Sequence, residues 1–347
     1  MMRFWFLLIV PFLSFANPFA YTQNNPPSQH HFDANIKYNT PIMVNADLLL
    51  GYVISSQIPA YWYQKGTPGS TKEVDESYIH FNNKEKLGFR CGIGIGVQNR
   101  FNLSLQWMYL TGGNESPRQR FQLTDIVDGY LIRNLQLLDP TDIDRGITVD
   151  VKTDQFLRLH HIDFVVQTAA WKATEHVRFQ PFGGIRYLGF KRSVNTEFFL
   201  PSDEHQFAFA VLKLHATGVF FGTDIKYLLA QHFHFFSSGL IAILAGHQSR
   251  DSKMSDNVSP NNVNTTIDEH FEIGLCPQYE LRFGFAFDYA FRVWLLSLRL
   301  GYEVSSFLQA HITDANSASP VPPNQQPLRV VDVIKHRAFI FGFTLGF

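Results

Sequence analysis

Ionisable side chains recur at every second position along several segments of the chain, and these residues are the best placed to do chemistry. Glu280 and Arg282, for example, alternate with Leu281 and Phe283. A spacing of two places side chains on one face of a β-strand. If that face lined the inside of a closed sheet, the acids and bases could form a polar channel or an internal ion-pair network. Ten residues are candidates for this lining: Asp47, Arg90, Asp163, Arg186, Asp224, Lys226, Glu280, Arg282, Arg299 and Glu303.

Catalytic and metal-binding chemistry is not indicated by the other polar residues. A hydrolase active at the rim of a barrel would use Asp, His or Ser groups such as Asp139 and His247, but no spacing singles out a nucleophile with its base. His232 and His234 lie beside a predicted short turn, where we expect surface side chains. We therefore expect no catalytic residue, no enzymatic activity, no metal site and no cofactor.

The overall composition excludes several classes of protein. Of 347 residues, 45% are hydrophobic and 34 are Phe, whereas 29 Lys and Arg balance 30 Asp and Glu. So much apolar surface excludes a disordered chain, and the balanced charge argues against a nucleic-acid partner. After residue 20, no apolar run reaches the roughly 18 residues that a spanning helix needs, which excludes a helical membrane protein.

The first residues have the pattern of an export signal. Arg3 precedes an apolar run from Phe4 to Leu13, and small residues follow this run. That arrangement is typical of a secretory signal peptide. We therefore predict a signal peptide over residues 1–20, a flexible periplasmic lead-in over 21–41 and one folded domain over 42–347.

Hydrophobic periodicity in the folded domain is typical of membrane-crossing β-strands. From Phe271 to Phe287, eight of the nine odd positions are hydrophobic, whereas the even positions include Glu280 and Arg282. The same period of two recurs over 44–52, 93–98, 101–110 and 294–305. The apolar faces of these five segments carry no Lys, Arg, Asp or Glu, as expected of faces that contact lipid. Aromatic residues suited to the membrane interfaces are Trp107, Tyr109, Trp294 and Tyr302.

The strand count and the connections indicate the same architecture. Ten strands are predicted at about 43–55, 88–98, 101–111, 156–170, 176–193, 208–228, 232–246, 270–288, 292–309 and 336–347. The connections alternate between short and longer, which is typical of outer-membrane barrels with short periplasmic turns and long extracellular loops. We predict an all-β fold: a transmembrane antiparallel up-and-down β-barrel of about ten strands, integral to the bacterial outer membrane.

Three positions predict irregular strands. The alternation changes phase between Leu159 and Ile162, which suggests a β-bulge. Pro181 and Pro277 lie inside strands and cannot donate a ladder hydrogen bond. Each proline therefore predicts a bulge or a misplaced strand boundary.

Two side-chain relationships follow from the alternation. If residues 289–290 form a two-residue turn, Glu280 faces Arg299 across a pair of strands. Cys91 shares the phase of the outward apolar stripe, whereas Cys276 shares the phase of Glu280 and should point inward. A disulfide within one subunit is then not expected, because the two side chains lie on opposite faces of the sheet.

The last predicted strand ends the chain at an aromatic residue. Phe343, Leu345 and Phe347 alternate with Thr344 and Gly346. A closing strand of this kind resembles the C-terminal assembly signal of bacterial outer-membrane proteins. The resemblance implies that the barrel-assembly machinery recognises this segment.

Six short motifs resemble the Legionella-type major outer membrane protein family. They are MVNADLLLGY (43–52), FGGIRYLGF (182–190), GVFFGTDIKYLL (218–229), SSGLIAILAG (237–246), LRLGYEVSSF (298–307) and FIFGFTLGF (339–347). The resemblance covers roughly residues 42–347. It implies an abundant, porin-like, surface-exposed barrel and supplies no catalytic residues.

These patterns lead to three alternative functions. We expect a porin-like barrel for passive diffusion of small solutes or a structural major surface protein. The alternative is a plugged structural or adhesive barrel, because side chains fill the interior of barrels with about eight strands; an outer-membrane hydrolase is the third. Expected partners are outer-membrane lipid, the assembly machinery, further copies of the chain, and host-surface or envelope ligands, but no nucleic acid.

Overall fold

Ten long β-strands form the main body of the protein. The computed structural model describes residues 42–55, 61–65, 75–79, 84–97, 101–115, 119–122, 130–133, 148–199, 205–256, 265–291, 294–314 and 329–347. The long strands are β1 (Ile42–Ser55), β2 (Lys86–Val97), β3 (Phe101–Glu115), β4 (Thr148–Thr168), β5 (Val177–Phe199), β6 (His205–Leu228), β7 (Phe233–Asp256), β8 (Thr265–Phe291), β9 (Trp294–Asp314) and β10 (Arg329–Gly346). Within these ranges, no helix is long and apolar enough to cross a membrane.

The ten strands close into an antiparallel barrel. Each strand pairs with the next one along the chain, and β10 pairs with β1. Backbone hydrogen bonds of 3.3 and 3.1 Å join Ile42 to Phe347 at the point of closure. The predicted ten-stranded up-and-down barrel is confirmed. Closure pairs the backbone groups that an open sheet would expose to lipid.

The two ends of the barrel differ in their connections. Short connections at 98–100, 169–176, 229–232 and 292–293 define what we call the turn end, and the opposite end is the loop end. The strands extend further toward the loop end than the alternation predicted. Residues 194–207 and 247–269 were expected to be loops, but β5, β6, β7 and β8 occupy most of them.

Short strands within the connections were not predicted. Tyr61–Lys65 pairs with both Asp75–Ile79 and Tyr130–Arg133 in a separate three-stranded sheet. Gln119–Gln122 pairs with the first residues of β4, and Trp171–Lys172 pairs with β5 at the turn end.

The predicted bulge between Leu159 and Ile162 is wrong. The register of β4 runs without a shift through these residues against both β3 and β5. Leu157 and Leu159 point into the barrel and are fully buried, whereas Ile162 points outward and is 41% exposed. The apolar residues therefore move from one face of the strand to the other while the backbone stays regular.

The two prolines inside strands have different surroundings. Pro277 lies beside a register shift between Leu244 and Gly246 of β7, so the predicted irregularity is confirmed there. Pro181 remains in register with β6, but the ladder between β5 and β4 begins only at Phe182. Pro181 thus lies where one of its two ladders ends, and no bulge is needed.

The outward face of the barrel divides into two zones. Near the turn end it is apolar, and one register row across β4–β7 consists of Phe164, Ile185, Val219 and Ile243, which are 46–54% exposed. We call these four residues the apolar row. Closer to the loop end, the outward residues of the same strands become His, Arg and Lys. We name the two zones the membrane half and the loop half.

Aromatic residues lie at both margins of the membrane half. Trp107 packs against Phe89 with ring centroids 4.9 Å apart. At the turn end, the ring of Trp294 lies 5.3 Å from that of Phe347. Phe343 is 42% exposed and faces outward with Phe347. The proposed recognition of Phe343, Leu345 and Phe347 by the assembly machinery stays a prediction.

Candidate functional site: an ion-pair network across the barrel interior

The structure brings eight of the ten predicted lining residues into one inward-facing network. Their side chains alternate in charge along a connected chain of ion pairs. The chain runs in the order Asp163, Arg186, Glu280, Arg282, Glu303, Arg90, Asp47 and Arg299. Four carboxylates thus meet four guanidinium groups, so the formal charge of the chain is balanced.

Arg186 on β5 forms the first link across the barrel. Its Nε donates a hydrogen bond of 2.7 Å to Asp163 Oδ1 on the neighbouring β4. Its Nη1 donates one of 3.0 Å to Glu280 Oε2 on β8, a strand separated from β5 by β6 and β7. The Arg186 side chain is fully buried. One guanidinium therefore ties together strands that are not neighbours.

Arg90 on β2 forms the second link. Its Nη2 donates a hydrogen bond of 2.5 Å to Glu303 Oε2 on β9, and β1 and β10 lie between these two strands. Its Nη1 donates one of 3.3 Å to Asp47 Oδ2 on β1. The Arg90 and Glu303 side chains are 2% and 0% exposed.

Arg282 joins the two links into a single network. It forms ion pairs with Glu280 and, with 2.8 Å between Nε and Oε2, with Glu303. At the far end, Arg299 Nη2 donates a hydrogen bond of 2.9 Å to Asp47 Oδ1. Gly342 leaves the space for this carboxylate, because a Cβ there would lie 2.0 Å from Asp47 Oδ1. Removing one member would leave each of its buried neighbours with one counter-charge fewer.

Two histidines extend the network and were missed by the sequence reasoning. His336 Nε2 lies 2.5 Å from Glu303 Oε1, and His161 Nδ1 lies 3.2 Å from Asp163 Oδ2. Both side chains are almost completely buried. The alternation along the strands could have identified both histidines. His161 is two residues before the inward Asp163, and His336 is six residues before the inward Gly342.

The remaining two predicted residues lie apart from the network. Asp224 accepts a hydrogen bond of 2.7 Å from Gln167 Nε2, nearer the turn end, and Lys226 is the next inward position on β6. The expected pairing of Glu280 with Arg299 is wrong, because Glu280 lies opposite Ser305. β8 continues through residues 289–290, and Phe291 pairs with Trp294, which moves the register by six residues.

The predicted faces of the two cysteines are confirmed, whereas that of one histidine is wrong. Cys91 is exposed, Cys276 is buried, and both are free thiols. His234 is 2% exposed instead of lying on the surface, and its Nδ1 is 3.7 Å from Asp288 Oδ2. Its position beside a turn suggested exposure, but its phase along β7 directs it into the barrel.

An apolar layer covers the network on the side of the loop end. Inward side chains from most strands form one buried cluster there, including Val53, Leu110, Leu157, Leu159, Leu188, Phe190, Leu214, Leu244, Phe307 and Ile334. On the opposite side, the side chains of Arg282 and Arg299 are 20% and 29% exposed. The interior is therefore packed toward the loop end, and solvent reaches part of the network from the other side.

The described part of the chain holds no group of three or more His, Cys, Asp or Glu side chains placed to bind a metal ion. The inward polar groups instead pair with each other. The arrangement can therefore brace the barrel and obstruct its interior.

A closed barrel with an apolar outward belt and a charged interior defines an integral protein of the bacterial outer membrane. The model of one protein family, the Legionella pneumophila major outer membrane protein precursor, matches residues 51–327. The chain therefore belongs to this family, as its motifs suggested.

Comparison with solved structures finds barrels at low sequence identity. The outer membrane protease OmpT from Escherichia coli is 10% identical, with a TM-score of 0.41 over 89% of this chain and 97% of that one. The toluene transporter TodX from Pseudomonas putida is 9% identical, with a TM-score of 0.27 over 90% and 91%. No match was found among curated protein sequences.

Proposed function

We propose that the protein is a structural outer-membrane barrel whose lumen is closed, and that it acts through its outer and loop surfaces instead of conducting solutes. The observation that supports this proposal most directly is the pair of links that cross the interior, Arg186 to Glu280 and Arg90 to Glu303. A hydrated ion that crossed the barrel at the level of these links would have to separate buried opposite charges, which is costly in a low-dielectric interior.

The apolar layer adds a second obstacle. Leu157, Leu188 and Leu214 are fully buried at the loop side of the network. Water and ions avoid a packed apolar layer, because polar groups that enter it lose their hydration without gaining partners. Opening a path would require both the ion pairs and this layer to rearrange.

Single-channel recording of the refolded full-length chain in planar bilayers tests the proposal. We expect the wild type to show no stepwise conductance, while a general porin reconstituted in the same bilayers shows clear steps. The double variant Phe190→Ala, Leu214→Ala lacks part of the apolar layer, and we expect it to show brief conductance steps more often than the wild type. Regular, ion-selective steps from the wild type would contradict closure and would favour the porin-like alternative.

A further inference from the structure

Three cations lie side by side on the outward face of β4, β5 and β6, just beyond the membrane half. Arg158 is opposite Lys191, and Lys191 is opposite Lys213, in the register of these strands. We call these three residues the cation row. On each of these strands, the residue of the apolar row lies three outward positions closer to the turn end than the residue of the cation row. Lipid chains that cover the apolar row would therefore have their headgroups at the level of the cation row.

The positive charge of the cation row is largely uncompensated. Among the described residues, Arg158 and Lys191 have no ion-pair partner, and the Arg158 guanidinium lies over the Phe156 ring at 5.5 Å. Lys213 Nζ is 3.6 Å from Asp251 Oδ2, but both side chains are more than 40% exposed, so water screens this pair. Like charges on adjacent strands repel each other, and an anion between them would relieve the repulsion.

A row of histidines separates the cation row from the lipid-facing surface. His160 and His215 flank Gly189, and His247 follows on β7. Tyr187 Oη lies 2.7 Å from His215 Nδ1. Arg158, Lys191 and Lys213 make the surface here electropositive, and the imidazoles can contribute hydrogen bonds to an anion.

A surface cavity of about 430 Å³ lies next to the cation row on the loop side. Residues of β2 to β6 line it, with Phe156 and Phe209 as apolar walls and Ser193 and Asn195 as polar groups. Two lysines, Lys84 and Lys86, and one carboxylate, Asp154, also reach the cavity. Concave sites of this size with a few placed polar groups accommodate small organic ligands. Hydroxyl-rich sugar rings combine polar edges with apolar faces, which suits this lining.

We propose that the apolar row, the cation row and the cavity form one binding site for a phosphorylated glycolipid of the outer leaflet, of the lipid A class. The acyl chains lie on the apolar row, a phosphate contacts Arg158 and Lys191, and a sugar of the headgroup enters the cavity. Phosphate oxygens accept strong, charge-assisted hydrogen bonds from guanidinium and ammonium groups. The site lies on the outer surface and does not depend on whether the lumen conducts.

The first test measures how much lipid A stays bound to the full-length protein after purification in detergent, by native mass spectrometry. Arg158→Gln combined with Lys191→Gln should retain about tenfold less lipid A than the wild type, because two charged contacts are lost. The matched control is Lys335→Gln with Arg337→Gln, another Lys and Arg on the outward face, on β10. Equal retention by both double variants would overturn the proposal.

A second test needs no substitution and separates the phosphate from the rest of the lipid. The wild type in detergent is titrated with lipid A, with dephosphorylated lipid A or with inorganic phosphate, and its thermal midpoint is measured. We expect intact lipid A to raise the midpoint and the other two ligands to leave it nearly unchanged. Equal stabilisation by dephosphorylated lipid A would remove the role of the cation row, and equal stabilisation by inorganic phosphate would remove that of the glycolipid.

Discussion

The membrane half and the loop half of the barrel use the same strands with opposite faces. In the membrane half, apolar side chains such as Phe221 (68% exposed) face outward, and the buried charge of Arg186 faces inward. In the loop half, Leu157 and Phe190 are buried inside, and Arg158 and Lys191 face outward. The surrounding solvent explains the difference, because lipid covers one half and water the other. A single β-strand can therefore reverse its pattern without any change in its backbone.

The contrast is broken most strongly by removing a charge from the interior of the membrane half. Arg186→Met leaves the buried Asp163 without its arginine and Glu280 with Arg282 alone, and we expect the free energy of unfolding to fall by about 3–5 kcal/mol. Urea titration of the refolded barrel measures this loss, with the folded fraction read from the difference in gel mobility between unheated and heated samples. Lys172→Met, on an exposed side chain at the turn end, should stay within about 0.5 kcal/mol of the wild type.

The charge-balanced double variant Asp163→Asn and Arg186→Met sharpens this test. It leaves three carboxylates facing three guanidinium groups, so it should recover part of the stability that Arg186→Met loses. If Arg186→Met were as stable as Lys172→Met, the buried network could not be a major source of stability.

The next largest effect compares two apolar residues of similar size on β5. Leu188 is fully buried inside the barrel, whereas Ile185 is 54% exposed and faces outward in the apolar row. Leu188→Ala should cost about 2–5 kcal/mol because it leaves a cavity. Ile185→Ala should cost less, since mobile lipid or detergent fills the space. Equal losses in urea titrations would show that the interior of the loop half is not closely packed.

Two phenylalanines on β6 test where the lipid boundary lies. Phe221 and Phe209 both face outward, with 68% and 42% exposure, but they belong to the membrane half and the loop half respectively. Phe221→Arg should reduce the folding free energy in bilayers by roughly 2–4 kcal/mol, and Phe209→Arg by about 0–1 kcal/mol. Refolding yields in lipid vesicles at increasing urea measure both. A larger loss for Phe209→Arg than for Phe221→Arg would indicate that lipid surrounds the loop half instead of the membrane half.

The smallest perturbation uses a thiol that is already present. Cys276 is buried in the apolar cluster inside the barrel, so a reagent reaches its thiol only when the structure opens. In a Cys91→Ser background, alkylation at pH 8 should be about 100-fold slower in the folded protein than in the unfolded chain. Equal rates in the two states would indicate that the Cys276 thiol is accessible to solvent.

The membrane half was the more predictable part of the fold. The alternation over 271–287 and 294–305 placed Phe283, Phe285 and Leu298 outward, where they are 39–48% exposed. Lipid imposes a single rule on every residue that faces it, so a local pattern is sufficient there. In the loop half the rule reverses, and the predicted strands ended too early or showed a false irregularity near Leu159.

The candidate site was predictable in its members but not in its connections. Parity assigned Arg90 and Glu303 to the inward face, but their contact joins residues 213 positions apart in sequence. It also missed His336, whose role depends on that contact. The register of the hairpin before Arg299 depended on which residues form the turn, and the alternation alone did not locate that turn.

The sequence by itself determined the class of the protein: ten alternating strands, an apolar outward face and a charged inward face. This information is local, because each side chain must suit the solvent on its own side of the strand. Only the tertiary structure decided that the charges join into one network, that an apolar layer covers it, and that three cations align beside a cavity. Those features depend on the closure and register of the barrel, which bring together side chains that the sequence keeps far apart.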